Sequence, residues 1–165
     1  MIRPVVLLPD RVLARPAAPV GEIEAAARSL AQDLLDTMRA HTHCVGLAAP
    51  QIGVATRAFS LDVTGHRKAR SCHGELVLFD PELVACEGRE VAREGCMSVP
   101  DLTGDVARPT AVVVRGRTPD GEERMIRADA FEARALLHEL DHLDGLLFLD
   151  RVVSPDRVFR RRVYR

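Results

Sequence analysis

The sequence lacks long apolar runs, paired cysteine spacing and, with one exception, lysine. Runs such as Ala111–Val114 and Leu146–Leu149 fall far short of the roughly 20 residues needed to cross a bilayer as a helix, which excludes a membrane span. At the N-terminus an arginine precedes a few apolar residues, but Pro9 and then Asp10-Arg11 interrupt the run before a signal-peptide core forms. A cytoplasmic protein is therefore expected. Cys44, Cys72, Cys86 and Cys96 show no disulfide-like spacing, so free thiols or metal ligands are expected. Lys68 is the only lysine, and arginine supplies the remaining basic groups. The net charge of −1 gives no reason to invoke nucleic acid or an anionic surface. The 165 residues suit one domain, large enough to bury roughly 70% of the unfolded chain's surface. No low-complexity linker or internal repeat divides them, so residues 1–165 are read as a single catalytic domain.

The patterning predicts two principal helices among short strands. From Glu22 to about Ala40, Ile23, Ala26, Ala27, Leu30, Leu34 and Met38 recur at helical spacing with Arg28, Asp33 and Arg39 between them, predicting an amphipathic helix against a sheet. Val54–Val63, Leu76–Phe79, Leu83–Cys86 and Thr110–Arg117 have strand-like composition. Thr118-Pro119-Asp120-Gly121 predicts a turn joining the last of these to Glu122–Arg127 as a hairpin. A second helix is expected from Asp129, with Asp129 and Glu132 forming a capping box, to Gly145. Phe131, Ala135, His138 and His142 lie on one face and Leu136, Leu140 and Leu143 on another. Little of that helix is left for water, so it should be buried and central. The expected architecture is α+β, with small antiparallel strands packed around a central helix and an N-terminal amphipathic helix.

The chemistry concentrates in His138-Glu139-Leu140-Asp141-His142. Histidines four residues apart sit one turn apart on a helix, so both imidazoles can reach one divalent ion while the adjoining carboxylate reaches a water beside it. The bland alternative, two satisfied histidines and a solvated glutamate, is weakened by the apolar character of the helix. A catalytic metal site normally takes a third protein ligand. Phe148 occupies the position of a metzincin's third histidine, and no glutamate follows Glu139, so the third ligand lies upstream. Cys96, the pair Cys72-His73, and the cluster His41, His43 and Cys44 all qualify, and spacing does not choose among them.

Three segments in order, Val45-Gly46-Leu47-Ala48-Ala49-Pro50-Gln51, Glu94-Gly95-Cys96-Met97-Ser98 and His138-Glu139-Leu140-Asp141-His142, resemble the ordered motifs of the peptide deformylase family. The similarity runs from Pro9-Asp10-Arg11-Val12-Leu13 to the Leu-Asp-Gly-Leu-Leu-Phe segment after His142. The resemblance implies a hydrolase of N-terminal methionine processing in protein biosynthesis. Such an enzyme removes the formyl group from N-formylmethionyl peptides and releases formate. It implies Cys96, His138 and His142 as metal ligands, Glu139 as general base toward water activated at the metal, and the Gln51 side-chain amide and Met97 backbone N–H as oxyanion donors. The implied metal is Fe2+, with Zn2+, Ni2+ or Co2+ able to replace it; one thiolate and two imidazoles suit all of these.

The resemblance has departures. Cys44 stands where the family usually has the first glycine of its opening motif, Leu137 replaces a usual glutamine, and Thr103 stands where many members have arginine; Arg108 matches a second basic position. Val45 and Gly46 are expected beside the metal, and Glu94, Arg108 and Phe131 in substrate binding. The expected partner is an N-formylated peptide, the expected state a monomer. Arg157, Arg160, Arg161, Arg162 and Arg165 form a basic tail for which weak ribosome contact is one reading and a solvated end another. Two alternatives stand beside deformylation: a related hydrolase acting on a different formylated or acylated small substrate, and a non-catalytic metal-binding protein on the same scaffold.

Overall fold

In a computed structural model describing residues 1–161, the elements follow as α1 (Ala25–Ala40), β1 (Gly46–Ala48), β2 (Ala58–Leu61), β3 (Leu76–Glu87), β4 (Glu90–Cys96), β5 (Val99–Arg108), β6 (Ala111–Arg117), β7 (Glu123–Asp129), α2 (Ala130–Leu143) and β8 (Val158–Arg160). The strands form an antiparallel five-stranded sheet, β1-β2-β3-β6-β7, and an antiparallel three-stranded sheet, β4-β5-β8. The α+β architecture matches the expectation. No helix of the described residues is long and apolar enough to cross a membrane.

The amphipathic stripe of α1 buries Ala31, Leu34 and Met38 against Leu47, Ile52, Ala58, Val77 and Phe79. The helix begins at Ala25, later than Glu22, because Gly21 is left-handed and Glu24 takes the extended N-cap position. The two strands expected at Leu76–Phe79 and Leu83–Cys86 are one strand with register shifts between Phe79 and Glu82 and between Leu83 and Ala85. Such an irregularity accommodates Pro81, which has no N–H for the ladder. The Thr118–Gly121 turn joins β6 to β7, closed by bonds of 2.9 Å from Thr118 N to Glu122 O and from Gly121 N to Thr118 O.

Helix α2 is buried along most of its length. Leu136, Leu140 and Leu143 pack with Phe59, Leu61, Leu78, Val112, Val114 and Ile126 of the larger sheet. At its other side Arg134 donates to the Val106 and Glu90 carbonyls of the smaller sheet.

Its N-terminus corrects the expected capping box. The Asp129 side chain makes no cap bond; its Oδ1 accepts from Ser71 N at 2.9 Å. Glu132, fully buried, accepts from His73 N at 2.7 Å and from Ser71 Oγ at 2.8 Å, and contacts His73 Nδ1 at 2.7 Å. Two side chains with the right local spacing for a cap instead bind a loop some 60 residues away, whose donors satisfy the buried Glu132 carboxylate that would otherwise be costly. The C-terminus follows expectation: Gly145 is left-handed at φ 77°, and Leu146 N bonds Asp141 O at 2.9 Å, closing the last turn. A Cβ at Gly145 would come within 2.9 Å of the Ala14 and Arg15 backbone.

Candidate active site

His138 and His142 project from α2 toward Cys96 at the end of β4. The two ring centroids are 5.0 Å apart, Cys96 Sγ lies 3.3 Å from His142 Nε2, and the three candidate ligand atoms all lie within 4.8 Å of one another. A tetrahedral ion with metal–sulfur and metal–nitrogen distances of about 2.3 and 2.0 Å requires ligand separations of about 3.5 Å, so the group fits a single ion. Among the described residues this is the one such cluster of three or more potential ligands. Of the competing upstream candidates, His43 and Cys44 line the same cavity but do not join the cluster, and the other three are engaged elsewhere. His73 meets Glu132, Cys72 is exposed and bonds Thr64 Oγ1 at 3.5 Å, and His41 Nδ1 meets Thr37 O at 2.8 Å.

Glu94 orients the first imidazole. Its Oε1 lies 2.9 Å from His138 Nδ1, leaving Nε2 for a metal, the usual arrangement behind ligand histidines. The carboxylate also accepts from Arg108 Nε at 2.6 Å, Arg108 Nη2 at 3.0 Å and Arg134 Nη1 at 2.7 Å. Arg108 continues to Asp141 Oδ2 at 2.8 Å, and Arg151 closes the chain on Asp141 Oδ1 at 3.0 Å. Burial alone would push the Glu94 carboxyl up, but the His138 and Arg108 contacts hold it at about 2. Glu94 is thus a fixed anion beside the ligand set, paired well enough for its burial to be tolerated.

Glu139 has the opposite environment. It is buried, Oε2 has no hydrogen-bond partner among the described residues, and burial raises its carboxyl to about 7 against the pull of His138 and Arg108. A carboxyl near neutrality can both accept and release a proton at working pH. Gly46 lets it approach: an added Cβ there would fall 2.6 Å from Glu139 Oε1.

Gln51 is buried opposite. Its Oε1 accepts from Ala48 N at 3.0 Å, which turns Nε2 toward Cys96 Sγ (3.4 Å) and Ser98 Oγ (3.2 Å). Met97 and Ser98 form the two-residue turn between Cys96 and its β5 partner Val99. The Met97 N–H donates to no group among the described residues. The N-terminal segment braces both donor residues, Val6 N bonding Gln51 O at 2.8 Å and Leu8 N bonding Ser98 O at 2.9 Å.

These groups share a cavity of about 210 Å³. Val45, Gly46, Glu94 and Phe131 line it, together with Gln51, Cys96, Met97, His138 and Glu139. Arg108 does not: its buried guanidinium lies behind the site between Glu94 and Asp141, so its placement is that of a support for Glu94, not of a contact to substrate. Cys44 also lines the cavity and donates to Gly46 O at 3.2 Å. Burial and the nearby Glu139 push its thiol up to about 12, keeping it neutral. Leu137 faces away, in the core cluster beneath the larger sheet. The sequence reading did not single out Arg134 or Asp141; charged residues on an otherwise buried helix were the available signal.

Two imidazoles and a thiol converging beside a near-neutral carboxyl define the site of a metal-dependent hydrolase. A model of the polypeptide deformylase family matches residues 2–158. A peptide deformylase of Acidobacterium capsulatum is 40% identical over 163 residues, covering 98% of this chain and 94% of that protein. One from Rhizobium meliloti is 41% identical, covering 97% and 91%. The crystal structure of a peptide deformylase from Legionella pneumophila superposes with a TM-score of 0.85 at 36% identity, covering 95% of this chain and 89% of that one. The chain belongs to the polypeptide deformylase family.

Proposed function

We propose that this chain, acting as one catalytic domain, hydrolyses the formamide at the N-terminus of formylmethionyl peptides to formate and a free amine. The observation that carries the reading is the buried Glu139 carboxylate, with Oε2 unpartnered among the described residues, beside the Cys96, His138 and His142 cluster, on a chain of this family. Cys96, His138 and His142 would hold a divalent ion, which would supply Lewis acidity and lower the pKa of water toward neutrality. Ferrous iron is the proposed ion, with zinc, nickel or cobalt as functional replacements on this soft donor set.

Glu139 takes a proton from the attacking water and passes it to the leaving nitrogen, which departs as the amine. Gln51 Nε2–H and the Met97 N–H hydrogen-bond the formyl oxygen as charge accumulates on it. Glu94, Arg108 and Asp141 hold His138 in place throughout. The free edges of β1 and β4, the outer strands of the two sheets, flank the cavity. Val45, Gly46 and Phe131 on one side and Glu94 on the other are the proposed walls for the methionyl residue, and an extended peptide can pair with either edge.

The protein is proposed to act in the cytoplasm as a monomer. Of its basic tail, Arg157 pairs with Asp105 at 3.6 Å, Arg160 lies in β8, and Arg162 and Arg165 lie outside the described residues; weak ribosome contact remains a proposal for that end. The deciding experiment is formate release by protein prepared without oxygen, from formyl-Met peptides and from non-peptide formamides, with metal content measured on the same sample. Preference for formyl-Met peptides supports the reading. Preference for the small formamides would assign a different substrate to the same chemistry.

A further inference from the structure

The peptide that presents the Met97 N–H has its opposite pole on a cation. Arg161 Nη2 donates to the Cys96 carbonyl oxygen at 3.4 Å. The only cis bond of the described residues is Leu8–Pro9, so the Cys96–Met97 peptide is trans and its C=O and N–H point in opposite directions. A donor on the carbonyl therefore helps to set where the N–H is aimed, beside the pairing of Cys96 with Val99. It also polarises the peptide and makes that N–H a better donor, as in any chain of hydrogen bonds.

The arginine is placed by more than this one contact. Arg161 N bonds Asp101 O at 2.8 Å, continuing the register in which β8 pairs Arg160 with Leu102, Phe159 with Thr103 and Val158 with Gly104. The guanidinium lies where Gly95 has no side chain: a Cβ there would be 2.5 Å from Arg161 Nη2 and 3.4 Å from Thr103 Cγ2.

We propose that Arg161 is a positioning residue for the hydrolysis, holding and polarising the Cys96–Met97 peptide so that the Met97 N–H meets the developing oxyanion. The proposal rests on the reading of an oxyanion site shared by the Met97 N–H and Gln51 Nε2, whose side-chain donor Gln51→Ala removes separately. The experiment compares Arg161→Ala, Arg161→Lys and Gln51→Ala in the full, metal-loaded chain by steady-state deformylation of a formyl-Met peptide. Removing one oxyanion donor typically costs 10²–10³ in kcat, and weakening one should cost less, so Arg161→Ala should lower kcat roughly tenfold. KM, metal content and melting temperature should stay put. Arg161→Lys should recover part of the loss, and millimolar guanidinium ion should restore part of kcat to Arg161→Ala but none to Gln51→Ala. A fall in Gln51→Ala with Arg161→Ala within twofold of wild type overturns the proposal and leaves the oxyanion reading standing. No fall in either variant overturns both. A rise in KM alone would make Arg161 a substrate contact, and lost metal would make it a support of the Cys96 ligand; each overturns the proposal.

Discussion

Gly46→Ala tests whether the close approach of β1 to α2 sets the position of the base. The new Cβ would lie 2.6 Å from Glu139 Oε1, 3.0 Å from its Cδ and 3.1 Å from its Cγ. Ordinary contact begins near 3.4 Å, so the carboxylate must retreat by about 0.8 Å. Gly46 is not among the residues with positive φ, so alanine adds no backbone strain and the effect falls on the side chain it meets. A misplacement of about 1 Å can cost about a hundredfold in rate. We therefore expect kcat to fall about ten- to a hundredfold, or about 1.4–2.8 kcal/mol in the barrier. Metal content and melting temperature should be near wild type, because Cys96, His138 and His142 are untouched. The assay is anaerobic formate release from a formyl-Met peptide, with metal analysis of the same preparation. A fully metal-loaded variant with kcat within threefold of wild type would refute the reasoning.

Cys96→Ser should weaken metal binding by more than about tenfold, since even residues behind the ligands cost 10–100-fold; Cys72→Ser, at an exposed residue outside the cluster, should leave metal content unchanged. The reverse pattern in metal analysis would move the third ligand to Cys72. Cys44→Gly should change kcat/KM for a formyl-Met peptide by less than about tenfold, or roughly 1.4 kcal/mol, because Cys44 is not among the positive-φ residues and its thiol is tied to Gly46 O. A much larger gain would show that the side chain obstructs the ordinary substrate.

The site's helix was legible because its chemistry is local: His138, Glu139 and His142 are set by one helical period, and the burial of α2 follows from its two apolar faces. Cys96 was not legible from spacing, since Cys72 and Cys44 offered the same donor atom; only the ordered motifs favoured it. The smaller sheet went unread because β4 and β5 carry Glu90, Arg93, Glu94, Asp101 and Asp105, a composition that reads as polar loop. Those charges belong to a strand pair whose polar residues meet one another and α2, as Arg93 meets Asp105 at 2.8 Å and Glu94 meets Arg134 at 2.7 Å. Asp129 and Glu132 failed for the complementary reason. A capping rule considers only the next turn, whereas Ser71 and His73 compete for the same carboxylates from another part of the chain. The role of Arg108 likewise depended on partners 14 and 33 residues away, which no local pattern announces.

The central claim is that Glu139 carries the proton between water and the leaving amine, and Glu139→Gln tests it most directly. Glutamine keeps the shape and fills the same buried space but cannot accept the proton. With kcat for a formyl-Met peptide and metal content measured on one anaerobic preparation, the account predicts a loss in kcat of at least about a hundredfold at unchanged metal stoichiometry. A metal-loaded variant turning over near the wild-type rate would contradict it.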